Sequence, residues 1–412
     1  MASDNAAQPA ASALPKPQAQ PQPRRDAHID ALRGFALFGI LIVNLMSFTS
    51  GLAGPSLGIL TDDSTLADHV VLVLVAFLGE FKFYPIFAFL FGYGFLKIWR
   101  RARASGADVD ALYSRRLWFL GLLGAFHGIF IWFGDILSRY AVVAIFLRKR
   151  LDYRPRQLLR SIRKWLLLAV GIGVVFAVVG VMDSPSGSGA TNQTPIVSVY
   201  ATGGFLAVTA QRLQDYLAIT IMFVFLVPQV MVIFLLGVLV ARMGWIDRPA
   251  RHHAFWRKVL VTGLVVGLPV NALWAWMQWH NAVTFNPALT MWMPLLDLLM
   301  PFQAAAMIAL LMINLERSTV QCLVALLAPA GRMPLTNYLA QSVVCSFVLY
   351  GYGLGLGQTI GQAGLAALAI GVYVTQIVVS RWWLAQHDTG PMETWWRRHV
   401  YGRPAETGQP TI

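Results

Sequence analysis

The chain is predicted to be all-α, an integral membrane bundle of about ten transmembrane helices with both termini on the cytoplasmic side. Three observations carry this. Of 412 residues, 57% are apolar and only 12% are charged, about half the charge of a soluble domain. Apolar runs of about 20 residues recur, the length of a bilayer-crossing helix. Lys and Arg cluster at the ends of alternate runs, which is a topology pattern. A large soluble globule and a disordered chain are excluded. The formal charge of +13 therefore marks orientation and not nucleic-acid binding.

Residues 1–27, rich in Ala, Pro and Gln, are expected to be a disordered tail. The membrane domain covers 28–398, and 399–412 is a second tail. The first apolar run lacks a cleavage site and stays as an anchor. Expected spans are 34–53, 68–98, 113–133, 135–149, 163–183, 217–242, 257–278, 291–314, 334–356 and 362–386. The second is too long for one straight crossing, and Glu80, Lys82 and Pro85 predict a kink or a re-entrant break there. Residues 203–216 read as an interfacial amphipathic helix leading into the sixth span. Gly351 to Gly357 reads as a flexible outer turn. Setting aside Lys82, Arg139 and Arg212, the other 29 of 32 basic residues fall on one side of this topology. A bacterial inner membrane is the expected location.

Ionisable groups inside a bilayer are costly and so mark candidate sites. Asp30 and Arg33 share a helix face at the first span's mouth, and Asn44 lies further along the same stripe. Glu80 and Lys82 flank the expected break, free to pair or to line a wet cavity. His127, among Gly121, Gly124 and Gly128, is the one histidine deep in a span, and imidazole is the natural proton acceptor near neutral pH. Asp135 follows eight residues on, at the outer end of the same hairpin and roughly 12 Å from His127 at 1.5 Å per residue, so the two form a direct dyad only if the hairpin folds back; Arg139 is one turn further and able to pair with Asp135. Asn271, Asp297 and Gln303 are further polar points. Gly331 to Gln341, with Arg332, Asn337, Tyr338 and Gln341, opens the ninth span, where Arg332 is placed to meet a phosphate at a helix N-terminus. Cys322 and Cys345 read as free thiols, and no metal-ligand spacing occurs.

At these residues the sequence resembles the bacterial YeiB-like family, whose C-terminal part, here about 230–398, is a domain of unknown function numbered 418. The matching segments are Asp30-Ala-Leu-Arg33-Gly34 with Gly39 to Asn44; Lys82-Phe83 with Phe87 to Gly92; His127-Gly128 with Gly134-Asp135 and Tyr140; Gly331 to Gln341; and Gly390 to Arg397. The family is distantly similar to transmembrane acyltransferases such as heparan-α-glucosaminide N-acetyltransferase, through Asp30-x-x-Arg33-Gly34 and Asn44. That enzyme's acetyl-transfer histidine precedes its second span. His69 stands nearest here, its flanks depart from the pattern, and His127 is left to take the role.

The resemblance implies an acyltransferase that moves an acyl group from a cytoplasmic acyl-CoA-type donor to a small-molecule or glycan acceptor. His127 is the expected base, Asn44 the oxyanion or carbonyl partner, and Asp135 with Arg139 the outer vestibule. Asp30, Arg33, Glu80, Lys82, Arg332, Asn337, Tyr338 and Gln341 line the donor and substrate path. No cofactor is implied beyond acyl-CoA as donor. The expected partners are the lipid bilayer, a small-molecule substrate and a second copy of the chain, with no nucleic acid. The alternative is a small-molecule transporter or exporter that uses Glu80, Lys82, His127 and Asp297 as its path. A structural or regulatory membrane protein is the third reading.

Overall fold

The computed structural model describes residues 26–48, 51, 63–182, 199–281 and 293–401. Nearly all of both expected tails lies outside these residues. Regular structure among the described residues is entirely helical. The helices are α1 (Ala27–Ser47), α2 (Leu66–Leu78), α3 (Phe83–Ala104), α4 (Val109–Phe130), α5 (Leu137–Arg148), α6 (Pro155–Met182) and α7 (Phe205–Met243). They continue with α8 (His253–Asn281), α9 (Met293–Leu296), α10 (Pro301–Ile313), α11 (Ser318–Arg332), α12 (Pro334–Leu349), α13 (Gln362–Gln386) and α14 (Pro391–Tyr401).

Seven helices or interrupted helices among them are long and apolar enough to cross a bilayer, so the chain is a multi-pass membrane protein. The expected spans 113–133, 135–149 and 334–356 fall on α4, α5 and α12. Of these, α5 has 12 residues and α12 has 16, short of the roughly 20 of a full crossing.

Local chemistry sets the helix ends. Thr65 and Asp68 form a reciprocal capping box at the start of α2, which satisfies amides that have no partner inside the helix. The other oxygen of Asp68 accepts from Ala363 N at 2.8 Å and so caps α13 too. Asp108 caps α4. Gly244, at φ 69°, ends α7 in the left-handed conformation that glycine adopts freely. Pro301 and Pro334 open α10 and α12, where a missing N–H costs nothing.

One expectation is met and one changes. The second span breaks at 79–82, before Pro85, which sits in the first turn of α3. The segment at 203–216 is no separate interfacial helix; it winds without interruption into the 39-residue α7, because its polar side chains find buried partners. The Gly351 turn is also hydrogen-bonded, with Gly351 N donating to Tyr200 O at 2.9 Å and Leu354 N to Phe347 O at 2.8 Å.

Helices α1 and α7 form the middle of the bundle and are mostly buried, whereas α6 is mostly exposed. The backbones of α3 and α7 approach closely where Gly92 meets Phe234 and Gly237 meets Phe89, the small-residue contact that membrane helices favour. Both cysteines are free thiols.

Three basic loops meet at one end of the bundle. Lys97 pairs with Asp247 at 2.8 Å, Arg103 with Asp152 at 2.7 Å, and Arg148 donates to Asp110 at 2.9 Å. Partial burial raises the Asp247 carboxyl, but donation from Lys97 and then from Tyr93 outweighs it and holds the group below its ordinary value. A lowered folded value means stability that is present above the ordinary aspartate range and lost as pH falls through the folded value. Acid melts should therefore show an extra loss of stability below about pH 4 that Asp247→Asn removes. An identical acid profile in the variant would refute this.

Candidate functional site

The chain between α4 and α5 folds back on itself. Helix α4 stops when Ile131 N and Trp132 N both turn onto His127 O, each at 2.9 Å. Residues 131–136 then descend along α4, and α5 starts beside Gly124. A Cβ at Gly124 would stand 2.6 Å from Asp135 Oδ2 and would overlap the Ser138 backbone. Gly128 is packed in the same way against the Tyr216 ring. The glycines therefore exist for this close approach.

The fold-back brings together two residues expected to lie about 12 Å apart. His127 Nδ1 lies 3.1 Å from Asp135 Oδ1, and neither side chain has any exposed surface. Asp135 Oδ2 accepts from Ser138 N at 2.8 Å and Ser138 Oγ at 2.7 Å. Tyr216 OH donates to Ser138 Oγ at 3.1 Å. A carboxylate already accepting from Ser138 faces Nδ1, so we assign the imidazole proton to Nδ1. The lone pair is then on Nε2, which is buried and has no hydrogen-bond partner among the described residues. The Tyr338 ring lies 5.0 Å from the imidazole, and its hydroxyl accepts from Ile136 N at 3.3 Å.

Arg139 does not pair with Asp135. Its guanidinium donates to Phe133 O at 3.2 Å and lies over the Phe223 ring, because His127 and Ser138 already occupy both carboxylate oxygens. Asn44 makes no side-chain hydrogen bond among the described residues, and its carbonyl accepts from Ser47.

The mouth residues form a second group. Asp30 and Arg33 pair at 2.7 Å, as expected. The N-terminus of α12, expected to take a phosphate beside Arg332, receives this chain's own Glu393. That carboxylate accepts from Leu335 N at 2.7 Å, Thr336 N at 3.1 Å and Thr336 Oγ1 at 2.6 Å. Arg332 donates to Asp388 O at 3.2 Å. Asn337 donates to Ala330 O and Ser380 Oγ, and Gln341 donates to Gln376, which donates back to Asn337 O. These amides tie α12 to α13. Beside them, Trp383, His387, Trp395, Arg398 and His399 line a cleft of about 490 Å³.

At the second-span break, Lys82 Nζ donates to Ala76 O at 2.7 Å and so satisfies the frayed end of α2. Glu80 accepts from Trp274 Nε1 at 2.8 Å. Phe81 carries the one positive φ of a non-glycine among the described residues, 62°. His69, the position suggested by resemblance, sits in the first turn of α2 against Thr65 O and the Trp279 ring.

Sequence reasoning missed Arg212, which is fully buried. It donates to Phe130 O at 2.5 Å, Ile131 O at 2.7 Å and Thr209 at 2.8 Å, inside a cage of Phe205, Tyr350 and Tyr352 rings. It also missed Asp215, which accepts from Tyr200 OH at 2.7 Å. The available signal was that the topology expected from the sequence puts Arg212 on the side that carries almost no basic residues.

A family model described as "Protein of unknown function (DUF418)" matches residues 240–403. The chain is 28% identical over 396 residues to the uncharacterized protein YxaH of Bacillus subtilis, covering 90% of this chain and 93% of the relative. It is 28% identical over 385 residues to the uncharacterized protein YeiB of Escherichia coli, covering 91% and 96%. A 39.9 kDa protein from the amylase 3' region of Bacillus acidopullulyticus is 26% identical over 375 residues, covering 91% and 93%.

Proposed function

We propose that this chain, which belongs to the YeiB-like DUF418 family, is a membrane-embedded acyltransferase. The observation that carries the reading is the buried Asp135–His127 pair with a bare Nε2. A carboxylate that fixes the tautomer and a free second nitrogen together make a general base. Nε2 takes the proton of an acceptor hydroxyl or amine, and the acceptor attacks the thioester carbonyl. The C–S bond breaks, and His127 returns the proton to the leaving thiolate. Asn44, whose amide is uncommitted among the described residues, is assigned as donor to the oxyanion.

The donor is an acyl-CoA held at the cytoplasmic end. Because Glu393 fills the α12 N-terminus, the donor's phosphates and base are assigned to the cleft of Trp383, Trp395, Arg398 and His399. Trp395 packs on Phe119 of α4, two turns, or about 12 Å, below His127, a gap that an extended pantetheine arm spans. The charge split supports both termini in the cytoplasm of a bacterial cell. The exposed apolar face of α6 is open to lipid or to a second copy.

Thermal unfolding of the detergent-purified protein tests donor binding, because a ligand of the native state raises stability in proportion to its saturation. Acetyl-CoA should give a saturable upward shift that weakens in Arg398→Ala. A flat response to every acyl-CoA would sink the donor assignment.

One observation favours a second reading, transport along Glu80, Lys82, His127 and Asp297. Two membrane segments are interrupted, at 79–82 and at 297–300, as in carriers whose sites lie at broken helices. Flux through proteoliposomes without any acyl donor would establish it in place of transfer.

A further inference from the structure

Helix α6 is long and apolar enough to cross the bilayer, yet most of it is exposed. Its inner positions, such as Leu158, Ser161 and Ala169, are buried. Its outward stripe runs through Arg156, Arg160, Arg163, Leu167, Val174 and Val178, at spacings of three, four and seven that keep to one helix face. Every one of these side chains is exposed, as is Lys164 beside them. The stripe therefore has a cationic head and an aliphatic tail. From Leu167 to Val178 the tail is about 16 Å long, about the depth of one leaflet of a roughly 30 Å hydrocarbon core.

Local contacts fix the level of the head. Arg150, in the turn between α5 and α6, donates through Nε to Ser161 Oγ at 3.0 Å, and its guanidinium lies over the Trp165 ring. Phe146 meets the same ring edge-on at 5.9 Å. A tryptophan set between an apolar ring and a cation marks the boundary between hydrocarbon and headgroups, and Lys164, Arg163 and Arg160 stand next to it in the chain. Among the described residues, no ion pair engages Arg156, Arg160, Arg163 or Lys164. Helix α6 contains no acidic residue. Asp152, just before it, is taken by Arg103 at 2.7 Å and Trp99 at 3.2 Å. Arg156 lies in the first turn, where the helix dipole disfavours a cation, so it is not there to stabilise the helix.

We infer that the α6 stripe binds an anionic phospholipid from the leaflet on the basic side of the bundle. Its phosphate lies against Arg160 and Arg163, and an acyl chain runs along Leu167, Val174 and Val178. Lys and Arg at this level draw anionic lipid to a membrane protein. A second copy of the chain is the poorer occupant. Two copies share one orientation in the bilayer, so a symmetric contact along α6 would set these four cations against the same four at the same depth. A zwitterionic lipid fills the apolar tail but brings a cation of its own to the head. None of these residues belongs to the His127–Asp135 pair or to the Trp383 cleft, so the inference stands apart from acyl transfer.

The test is thermal unfolding of the detergent-purified full chain, titrated with dioleoylphosphatidylglycerol and, separately, with dioleoylphosphatidylcholine. The anionic lipid should raise the midpoint saturably and the choline lipid should not. The shift should vanish when Arg156, Arg160, Arg163 and Lys164 are all changed to Gln. It should persist when the exposed Arg248, Arg251, Arg257 and Lys258 are changed to Gln instead. Equal midpoints in the two lipids would overturn the site. A shift that survives in the α6 variant would do the same, as would one lost equally in the second variant, which would make it a property of total charge. An equal shift with inorganic phosphate would assign the head to a free anion and overturn the lipid. If the fourfold α6 variant does not fold, the double variant Arg160→Gln with Arg163→Gln should need more phosphatidylglycerol for half of the shift, and an unchanged half-saturation overturns the site instead.

Discussion

Replacing His127 by Ala is expected to lower acyl transfer by about 10²- to 10⁴-fold, the usual worth of a positioned general base. The assay is release of free thiol from acetyl-CoA with a pool of hydroxyl and amine acceptors. Fold should survive, because the main-chain contacts that stop α4, from Ile131 N and Trp132 N, use the His127 carbonyl and not its ring. Asp135→Asn is the sharper variant. Its amide keeps the shape but can present N–H to Nδ1, which moves the imidazole proton to Nε2 and removes the lone pair from the reacting side. A loss of similar size or larger, about 10⁴-fold where an orienting carboxylate holds the tautomer, should then appear with little change in KM. If both variants keep full activity while Arg398→Ala abolishes it, the cleft is functional and the dyad is only structural.

How much of this was legible in the sequence follows from which contacts are local. The helices were visible because apolar runs and their caps are local signals, as with Thr65 and Asp68 or Pro334. The break in the second span was visible because Glu80 and Lys82 have no place in an apolar run. The His127–Asp135 pair was visible only as a condition, because an eight-residue gap on a straight helix argues against contact unless the hairpin folds back. Only the fold-back after Phe130 closes that gap, and it depends on Gly124 giving way to Ser138. The filling of the α12 N-terminus by Glu393 pairs residues 57 or more positions apart, beyond any local pattern. One global signal was available and went unused. The three basic residues outside the topology rule, Lys82, Arg139 and Arg212, are all buried, at 0%, 8% and 0% exposure. A cation that breaks the expected charge pattern is tolerated where protein carbonyls and rings replace water, and each of the three donates to a backbone carbonyl.

Arg212 should therefore have the largest effect on stability. Its fork holds the carbonyls of Phe130 and Ile131, the last turn of α4 and the start of the descent that carries Asp135. A cation at a helix C-terminus is favoured by the dipole as well. Arg212→Ala takes the donor from two part-buried carbonyls, at about 1–3 kcal/mol each, and empties an aromatic cage of three rings. The expected loss is about 2–6 kcal/mol in total, enough to unfold a marginal protein. Arg212→Lys tests the mechanism apart from the charge. An ammonium keeps the cation but cannot span both carbonyls and Thr209 with a fixed planar fork, so it should recover only part of the stability. Because the clamp sets where residues 131–136 descend, the lysine variant should also lose transfer activity beyond what its residual stability explains. Thermal midpoints and acetyl-CoA turnover, measured on the same preparations, separate the two effects. A lysine variant with the wild-type midpoint and full turnover would mean that the charge alone suffices and that the fork plays no part in placing Asp135.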